Sequence, residues 1–260
     1  QAYDYVPEII DYHFFNVNNF EVYNYINNRP IVFATSAENE LACCHNIWTN
    51  RQEYDIFTFK SYKDVPGWVN DAEFIYEEVV KSAEDGDHFV EIGVLLGQST
   101  THMAELIKES GKDIKFDAID IFWIIEEALQ NYEQTNHPKQ FLDYYNDVKN
   151  EWDMNIINII KHPMRILEVE QYVNLITCDE KYAHKIYNDN SLKFVWIDGE
   201  HTANIVYNHL INFWPKLKNG GVIAGDDIHY KEVLDDVEKF SKEYNVKVQY
   251  DYNSFLITKE

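Results

Sequence analysis

The chain has 260 residues, 45% of them hydrophobic, so it can bury one large core and is not a small fold held together by disulfides. Its formal net charge of −23, from 22 basic and 45 acidic residues, disfavours a nucleic-acid partner, because such partners require Lys and Arg against their phosphates. The three cysteines lack metal-ligand spacing, no apolar run reaches the roughly 18 residues of a membrane span, and no signal-peptide pattern is present, so we expect a cytoplasmic protein without a membrane partner.

Residues 1–70 differ from the rest of the chain in composition and in hydrophobic periodicity. They are rich in aromatic residues mixed with Asn and Asp, and they show no long helical period. We predict an N-terminal extension that is irregular apart from short strands at Ile31–Ala34 and Ile56–Phe59 and that ends near Pro66-Gly67. An aromatic-rich arm of this kind is a candidate for contacts in a homo-oligomer.

From residue 71 to residue 260, segments with a helical period alternate with short apolar runs, which is typical of α/β proteins. The predicted fold class is an open, doubly wound, mostly parallel seven-stranded sheet of the Rossmann-like kind, closed by a C-terminal antiparallel hairpin. The five predicted parallel strands are His88–Ile92, Lys115–Asp120, Tyr172–Thr177, Lys193–Ile197 and Val222–Ala224. The predicted helices cover residues 72–84, 99–110, 180–189, 202–217 and 230–243. The hairpin strands are Val246–Tyr250 and Ser254–Thr258.

The connection over residues 121–171 is too long for an ordinary crossover between two strands. It contains helix-like pieces near 123–132 and 138–150. We therefore predict an insertion that covers another part of the domain.

The sharpest local feature is the segment HFVEIGVLLGQSTTHM, in which a buried strand runs into Gly93, Gly97 follows four residues later, and Ser99 opens a helix. The glycines permit close approach of a ligand, and the free N–H groups of the new helix favour a carboxylate or phosphate, with the Ser99 hydroxyl as a further donor or as the helix cap. A tight turn without a ligand explains the same pattern. The segment lacks the closely spaced second glycine of the dinucleotide fingerprint G-x-G-x-x-G.

Two acidic residues close the next two strands. Asp120 ends the strand KFDAID, where a carboxylate can accept hydrogen bonds from both hydroxyls of a ribose. Asp179 follows the third strand, near the expected position of the nucleobase, and its carboxylate can accept a hydrogen bond from an exocyclic amino group of that base. For Asp179, capping of the next helix is an equally good explanation. The spacing of these acids favours a nucleoside ligand.

A second cluster combines WIDGEHTA with GGVIAGDDIHY. Both segments end strands that we expect to be neighbours, so Asp198, Asp226 and Asp227 should converge at the carboxyl edge of the sheet. Three carboxylates that close repel one another unless a cation lies among them, and a hard divalent ion such as Mg²⁺ suits oxygen ligands. His201, which we expect on the first turn of the following helix, is then a candidate general base. Without a cation, Asp198 is a helix cap and the acidic pair forms a turn.

In order and spacing, VEIGVLLGQST, Asp120, FVWIDGEHT and PKLKNGGVIAGDD resemble class I S-adenosylmethionine-dependent methyltransferases. Within them, the pattern is similar to the metal-dependent small-molecule group that includes macrolide-sugar O-methyltransferases and a related cephamycin-biosynthesis protein. The resemblance covers roughly residues 66–230. It implies S-adenosyl-L-methionine as the cofactor, with Mg²⁺ or another divalent cation as the metal.

The resemblance also implies roles for individual residues in a methyltransferase domain over residues 71–260. The implied cofactor-binding residues are Glu91, Gly93, Gly97, Ser99, Asp120, Asp179 and Asp198. The implied metal ligands are Asp198, Asp226 and Asp227, and the implied catalytic base is His201. The N-terminal 60 residues and the insertion at 121–171 match no motif of the group. The N-terminal extension and the insertion would supply the acceptor pocket or its lid, with Trp48, Tyr54 or Trp68 as candidate walls.

The resulting hypothesis is O-methylation of a small-molecule hydroxyl. The first expected acceptor is a sugar or natural-product diol and the second a catechol, because both present adjacent oxygens to a metal. Three alternatives stay open. The first is N-methylation, which requires no metal. The second is a nicotinamide-dependent oxidoreductase, which would share the glycine segment and Asp120 at the ends of the first two strands but would not need Asp226 and Asp227. The third is a protein that binds the cofactor without activity and shares the fold alone.

Overall fold

The computed structural model describes residues 59–69, 72–122 and 156–260, together with the backbone of two short strands near the N-terminus. The chain divides into two compact units, Gln1–Thr58 and Phe59–Glu260. In the first unit, strand β1 (Tyr23–Ile26) pairs antiparallel with strand β2 (Arg29–Val32). The strand predicted at Ile31–Ala34 overlaps β2 in its first two residues.

Several sequence predictions lie outside the described residues. They are the first three residues of the strand Ile56–Phe59, the helix-like pieces at 123–132 and 138–150, and the aromatic residues Trp48 and Tyr54.

The second unit contains the remaining helices and strands of the described chain. Its helices are α1 (Ala72–Ser82), α2 (Gln98–Ser110), α3 (Ile156–Ile166), α4 (Glu180–Ala183), α5 (Ile205–Phe213) and α6 (Lys231–Tyr244). Its strands are β3 (His88–Ile92), β4 (Lys115–Asp120), β5 (Asn174–Thr177), β6 (Leu192–Ile197), β7 (Leu217–Gly225), β8 (Gln249–Asp251) and β9 (Ser254–Thr258).

All seven described strands of this unit form one sheet in the order β5-β4-β3-β6-β7-β9-β8. The first five are parallel, whereas β9 runs antiparallel to β7 and forms a hairpin with β8. From β3 the chain builds outward to β5, then returns to β6 and builds outward in the other direction. The strand order therefore reverses between β3 and β6, which is where open α/β sheets bind their ligands. The predicted fold class is confirmed.

The sheet is buried on both faces because alternate side chains of each strand point to opposite sides. On β6, Phe194 and Trp196 contact Tyr76 of α1, with ring centroids 5.9 and 5.3 Å apart. Val195 and Ile197 belong to the opposite cluster, which packs against α4, α5 and α6. This continuous apolar run thus makes β6 a central strand.

Strands were predicted more accurately than helix ends. β3, β4 and β9 have the predicted bounds, while β7 extends over Leu217–Gly225 because it pairs with both β6 and β9. The helix predicted at 202–217 is wrong at both ends, since α5 begins at Ile205 and residues Trp214–Lys216 form a 3₁₀ turn containing Pro215. The buried Asp236 of α6 accepts hydrogen bonds from the backbone of Asn204 and Tyr207, both at 3.1 Å, and so fixes this helix start.

Two further predictions need correction. The helix predicted at 180–189 is a single α turn followed by a 3₁₀ turn at His184–Ile186. The strand predicted from Tyr172 begins at Asn174, because Glu170–Tyr172 form another 3₁₀ turn. Among the described residues, no helix has the length and apolar character that a membrane span requires.

Candidate active site

Gly93 brings the ends of β3 and β6 together. Its φ is +90°, a backbone conformation that other residues rarely adopt, and a Cβ on it would lie 2.0 Å from the carbonyl oxygen of Asp198. The Asp198 backbone N–H donates to Ile92 at 2.8 Å, which closes the same junction. Glycine is therefore required at this position by the approach of two backbones at the sheet's switch point.

Gly97 is needed for a different reason, because it allows the start of α2 to pack closely against α3. It precedes α2 with a φ of +87°, and a Cβ there would lie 2.9 Å from the side chain of Ile160 on α3. The start of α2 has no side-chain cap. The prediction that Ser99 caps this helix is wrong, because its hydroxyl is engaged elsewhere.

Ser99 belongs to a buried hydroxyl network around Glu91. The Glu91 carboxylate accepts from the hydroxyls of Ser99 at 2.5 Å, Thr100 at 2.6 Å and Tyr76 at 3.3 Å. Burial raises the pKa of Glu91 from 4.5 to about 7, although the three hydrogen bonds oppose this shift. Because its hydroxyl hydrogen points to Glu91, Ser99 is not a further donor to a ligand in this arrangement.

Asp120 lies at the end of β4, as expected, and holds the loop that follows β3. One carboxylate oxygen accepts from the backbone N–H of Val94 at 2.9 Å and of Leu95 at 3.3 Å. The other oxygen accepts from Phe122 at 2.8 Å. Both Leu95 and Phe122 have positive φ angles, so Asp120 stabilises a strained residue in each of the loops that follow β3 and β4. Leu95 also lines the cavity.

Asp179 is the N-cap of α4. Its side chain accepts from the Lys181 backbone N–H at 3.1 Å and forms an ion pair with the Lys181 ammonium at 2.8 Å. The hydrogen bond from Lys181 lowers the pKa of Asp179. The capping alternative therefore describes this residue in the structure.

Three side chains at the ends of β6 and β7 form a cluster. Asp198, His201 and Asp227 each offer one ligand atom, and these atoms lie within 4.8 Å of one another. His201 Nε2 and Asp227 Oδ2 are 2.5 Å apart. The pKa of Asp198 is well above its usual range because the carboxyl group is buried and because Asp226 and Asp227 repel its negative charge.

Asp226 lies beside this cluster, but its carboxylate accepts hydrogen bonds that stabilise the turn after β7. Its Oδ1 accepts from the Asp227 backbone N–H at 2.7 Å and from the Ser254 hydroxyl at 3.3 Å. Asp227 has a φ of +69°, which is unusual for a residue other than glycine. The structure thus brings together the four residues that were predicted to meet. The three whose ligand atoms are close enough to hold one ion are Asp198, His201 and Asp227, so His201 takes the place predicted for Asp226.

His201 lies in the loop before α5, so the prediction of a first-turn position is wrong. The helix begins four residues later, at Ile205. The imidazole packs against the ring of Tyr230, with centroids 5.2 Å apart. A loop position lets the ring turn toward Asp227 and away from the axis of α5.

The loop after β3 and the acidic cluster open into one cavity of about 520 Å³. Gly93, Val94 and Leu95 form one side, and the cluster with Asp226 forms another. Trp68 and Tyr230 add aromatic walls and are 41% and 46% exposed. Asn253, on the turn between β8 and β9, also lines it; the sequence signalled a turn there but not that this turn would reach the site.

A family model described as a methyltransferase domain matches residues 90–228, which is more than half of the 260-residue chain. The chain belongs to this methyltransferase family. The matched range runs from β3 through the Asp226–Asp227 turn and so contains both sides of the cavity. The expected enzyme class is therefore confirmed. No curated protein sequence matches the methyltransferase significantly.

Solved structures share its fold at low sequence identity. The O-methyltransferase NovP aligns with a TM-score of 0.52 and 15% identity, covering 73% of this chain and 79% of NovP. A Staphylococcus aureus protein, provisionally classed as a caffeoyl-CoA O-methyltransferase, aligns with a TM-score of 0.50 and 14% identity, covering 84% and 97%. A Thermotoga maritima SAM-dependent O-methyltransferase aligns with a TM-score of 0.48 and 13% identity, covering 81% and 70%.

Proposed function

We propose that the chain is an S-adenosylmethionine-dependent O-methyltransferase that uses a divalent cation, with Mg²⁺ as the expected ion. Its acceptor is a small molecule with adjacent hydroxyls, first a sugar or natural-product diol and second a catechol. One observation carries the proposal: the glycine loop after β3 and an acid–histidine cluster open into the same 520 Å³ cavity at the switch point of a methyltransferase fold.

The loop after β3 would hold the cofactor, which supplies a sulfonium-bound methyl group as the electrophile. Asp120 accepts three backbone hydrogen bonds, and a carboxylate has about four acceptor positions, so capacity for a ribose hydroxyl remains. Glu91 would act through Ser99 and Thr100 by fixing the start of α2. The carboxylates of the cavity suit a ligand that carries positive charge.

The residues at the ends of β6 and β7 fit a divalent cation. The raised pKa of Asp198 reflects burial and then repulsion from two neighbouring carboxylates, which a cation would relieve. Asp198 and Asp227 would hold the ion, with Asp226 beside them, since carboxylate oxygens are the ligands that hard divalent cations prefer. A bound cation would lower the pKa of a coordinated hydroxyl.

The chain's own proton acceptor is His201. Its Nε2 pairs with Asp227, as in a histidine–carboxylate dyad in which the acid orients the ring. The other ring nitrogen, Nδ1, is then the atom that takes the proton from the acceptor hydroxyl. Trp68 and Tyr230 would exclude water and support one face of a ring-shaped acceptor.

The direct test is incubation of the purified full chain with S-adenosylmethionine, Mg²⁺ and a panel of glycosides, catechols and amines. Release of S-adenosylhomocysteine, and a product heavier by one methylene group, would be followed by mass spectrometry. We expect methylation of a vicinal diol that EDTA abolishes and Mg²⁺ restores. His201→Asn, which keeps a similar size but cannot accept a proton, should lower the rate roughly 100-fold or more.

Other outcomes separate the alternatives. Methylation of an amine that is insensitive to EDTA would replace O-methylation by metal-independent N-methylation. Absence of S-adenosylmethionine and S-adenosylhomocysteine binding in calorimetry would remove the cofactor assignment. Tight cofactor binding without turnover of any class of acceptor would favour a protein that binds the cofactor without catalysis.

A further inference from the structure

Hydrogen bonds join the turn between β8 and β9 to the acidic turn, that is, Asp226 and Asp227 after β7. The Ile228 backbone N–H donates to the carbonyl oxygen of Asn253 at 3.0 Å. The next residue, Ser254, is buried and donates its hydroxyl to Asp226. The two turns are therefore joined by backbone and side-chain bonds, although about 26 residues separate them in sequence.

The side-chain amide of Asn253 has only one orientation that satisfies these bonds. Its Oδ1 accepts from the backbone N–H of His229 at 3.1 Å, and the His229 Nδ1 is 2.6 Å from the same oxygen. A backbone N–H can only donate, so the amide oxygen must face His229. The Nδ2 group then faces Asp227 and donates to its Oδ1 at 3.3 Å.

Asp227 needs such a support. Its φ of +69° places it in the left-handed region, which a residue with a side chain keeps only where the surrounding structure holds it there. Its Oδ1 faces Asn253 and its Oδ2 faces His201. The carboxylate is thus held at both oxygens. Asn253 of the hairpin contacts Oδ1, which also has the His229 Nδ1 at 3.5 Å, and His201 of the loop before α5 contacts Oδ2.

We propose that Asn253 is a positioning residue: its amide, fixed by the backbone of His229, holds the Asp227 carboxylate in the orientation that faces His201 and a bound cation. The inference rests on the proposed function for the cation, while the orientation of Asp227 can be tested without one. Groups that hold a metal ligand from behind typically contribute 10–100-fold to metal affinity.

The experiment compares four full-length proteins: the wild type, Asn253→Ala, Asn253→Asp and Tyr252→Asn. Asn253→Asp keeps an acceptor for the His229 N–H but removes the donor to Asp227. Tyr252→Asn is the matched control in the same turn, because Tyr252 is 89% exposed and Asn tolerates its φ of +45°. Mn²⁺ affinity is measured by calorimetry, folding by thermal unfolding, and the Asp227 orientation by metal-free crystal structures.

We expect both Asn253 variants to fold and to bind Mn²⁺ at least ~10-fold more weakly than the wild type, with the control unchanged. In their crystal structures Asp227 should leave His201. Wild-type Mn²⁺ affinity in Asn253→Ala, or an unmoved Asp227 carboxylate in both variants, would overturn the inference. If the wild type itself binds no Mn²⁺, the proposed cation site fails, and the crystal structures alone decide whether Asn253 positions Asp227.

Discussion

Two acidic residues stand at the ends of neighbouring strands and have opposite surroundings. Glu91 on β3 accepts from three hydroxyls, whereas Asp198 after β6 adjoins two further carboxylates. Burial raises the pKa of both groups, but hydrogen bonds oppose the shift at Glu91 and repulsion adds to it at Asp198. At Glu91 the hydrogen-bond donors stabilise the charged form of the acid, whereas at Asp198 the neighbouring carboxylates destabilise the charged form until a proton or a cation binds.

The largest expected effect on stability comes from a substitution that forces the ends of β3 and β6 apart. Gly93→Ala should destabilise the protein by more than about 4 kcal/mol, the exceptional range for one substitution, because the new Cβ meets a backbone oxygen at 2.0 Å. Gly111→Ala is the control, since Gly111 also has a positive φ but no atom within 4 Å of the added Cβ. It should cost only about 1 kcal/mol in urea unfolding. Equal losses for the two variants would show that strand contact at Gly93 is unimportant.

The acidic cluster should respond to Asp198→Asn in two opposite ways. Mn²⁺ affinity should fall by about 100-fold, because a neutral amide replaces one of the charged carboxylates that would hold the ion. The temperature of unfolding without metal should rise, because the substitution removes repulsion with Asp226 and Asp227. Asp189→Asn, at an exposed acid paired with Lys216, is the control for both measurements. A lower unfolding temperature would mean that Asp198 is a structural acid like Glu91.

The burial of Glu91 should make the stability of the fold decrease as pH rises, because burial raises the pKa of this carboxyl group. The pKa of Glu91 in the folded protein is about 7, above its ordinary value of 4.5, so the neutral acid stabilises the fold below pH 4.5 and this contribution is lost as pH rises through 7. Relative to Glu91→Gln, the wild type should lose about 2 kcal/mol of unfolding free energy between pH 5 and pH 7.

Tyr76→Phe is the control for this pH effect. It removes the longest of the three hydrogen bonds, at 3.3 Å, and should change stability by less than about 1 kcal/mol while keeping the pH dependence. Parallel stability curves for the wild type and Glu91→Gln would contradict the raised pKa.

The fold followed from the sequence where burial alone decides the structure. β3 and β4 are short apolar runs that end in Gly93 or Asp120, and the structure has them at the predicted residues. The start of α5 could not be predicted in this way, because the acid that fixes it, Asp236, lies on another helix. Local propensity contains no information about such a partner.

The site was predicted in part for the same reason. Asp198, His201, Asp226 and Asp227 meet because parallel strands end at one edge of a sheet, a rule that sequence order alone can apply. The sequence did not reveal that Ser99 turns its hydroxyl to Glu91, eight residues earlier. Nor did it distinguish Asn253 from an ordinary turn residue, because its partners, Asp227 and His229, follow β7, which neighbours β9 only in the folded sheet.

The antiparallel entry of β9 beside β7 has a consequence for synthesis on the ribosome. The acidic turn after β7 emerges before the hairpin that supports it, so in the growing chain Asp226 and Asp227 lack the bonds from Ser254 and Asn253. The parallel strands can pair during that interval, but Asp226 and Asp227 gain the bonds from Ser254 and Asn253 only when β9 has joined the sheet. The last bonds to the acidic turn thus form later than the pairing of the parallel strands.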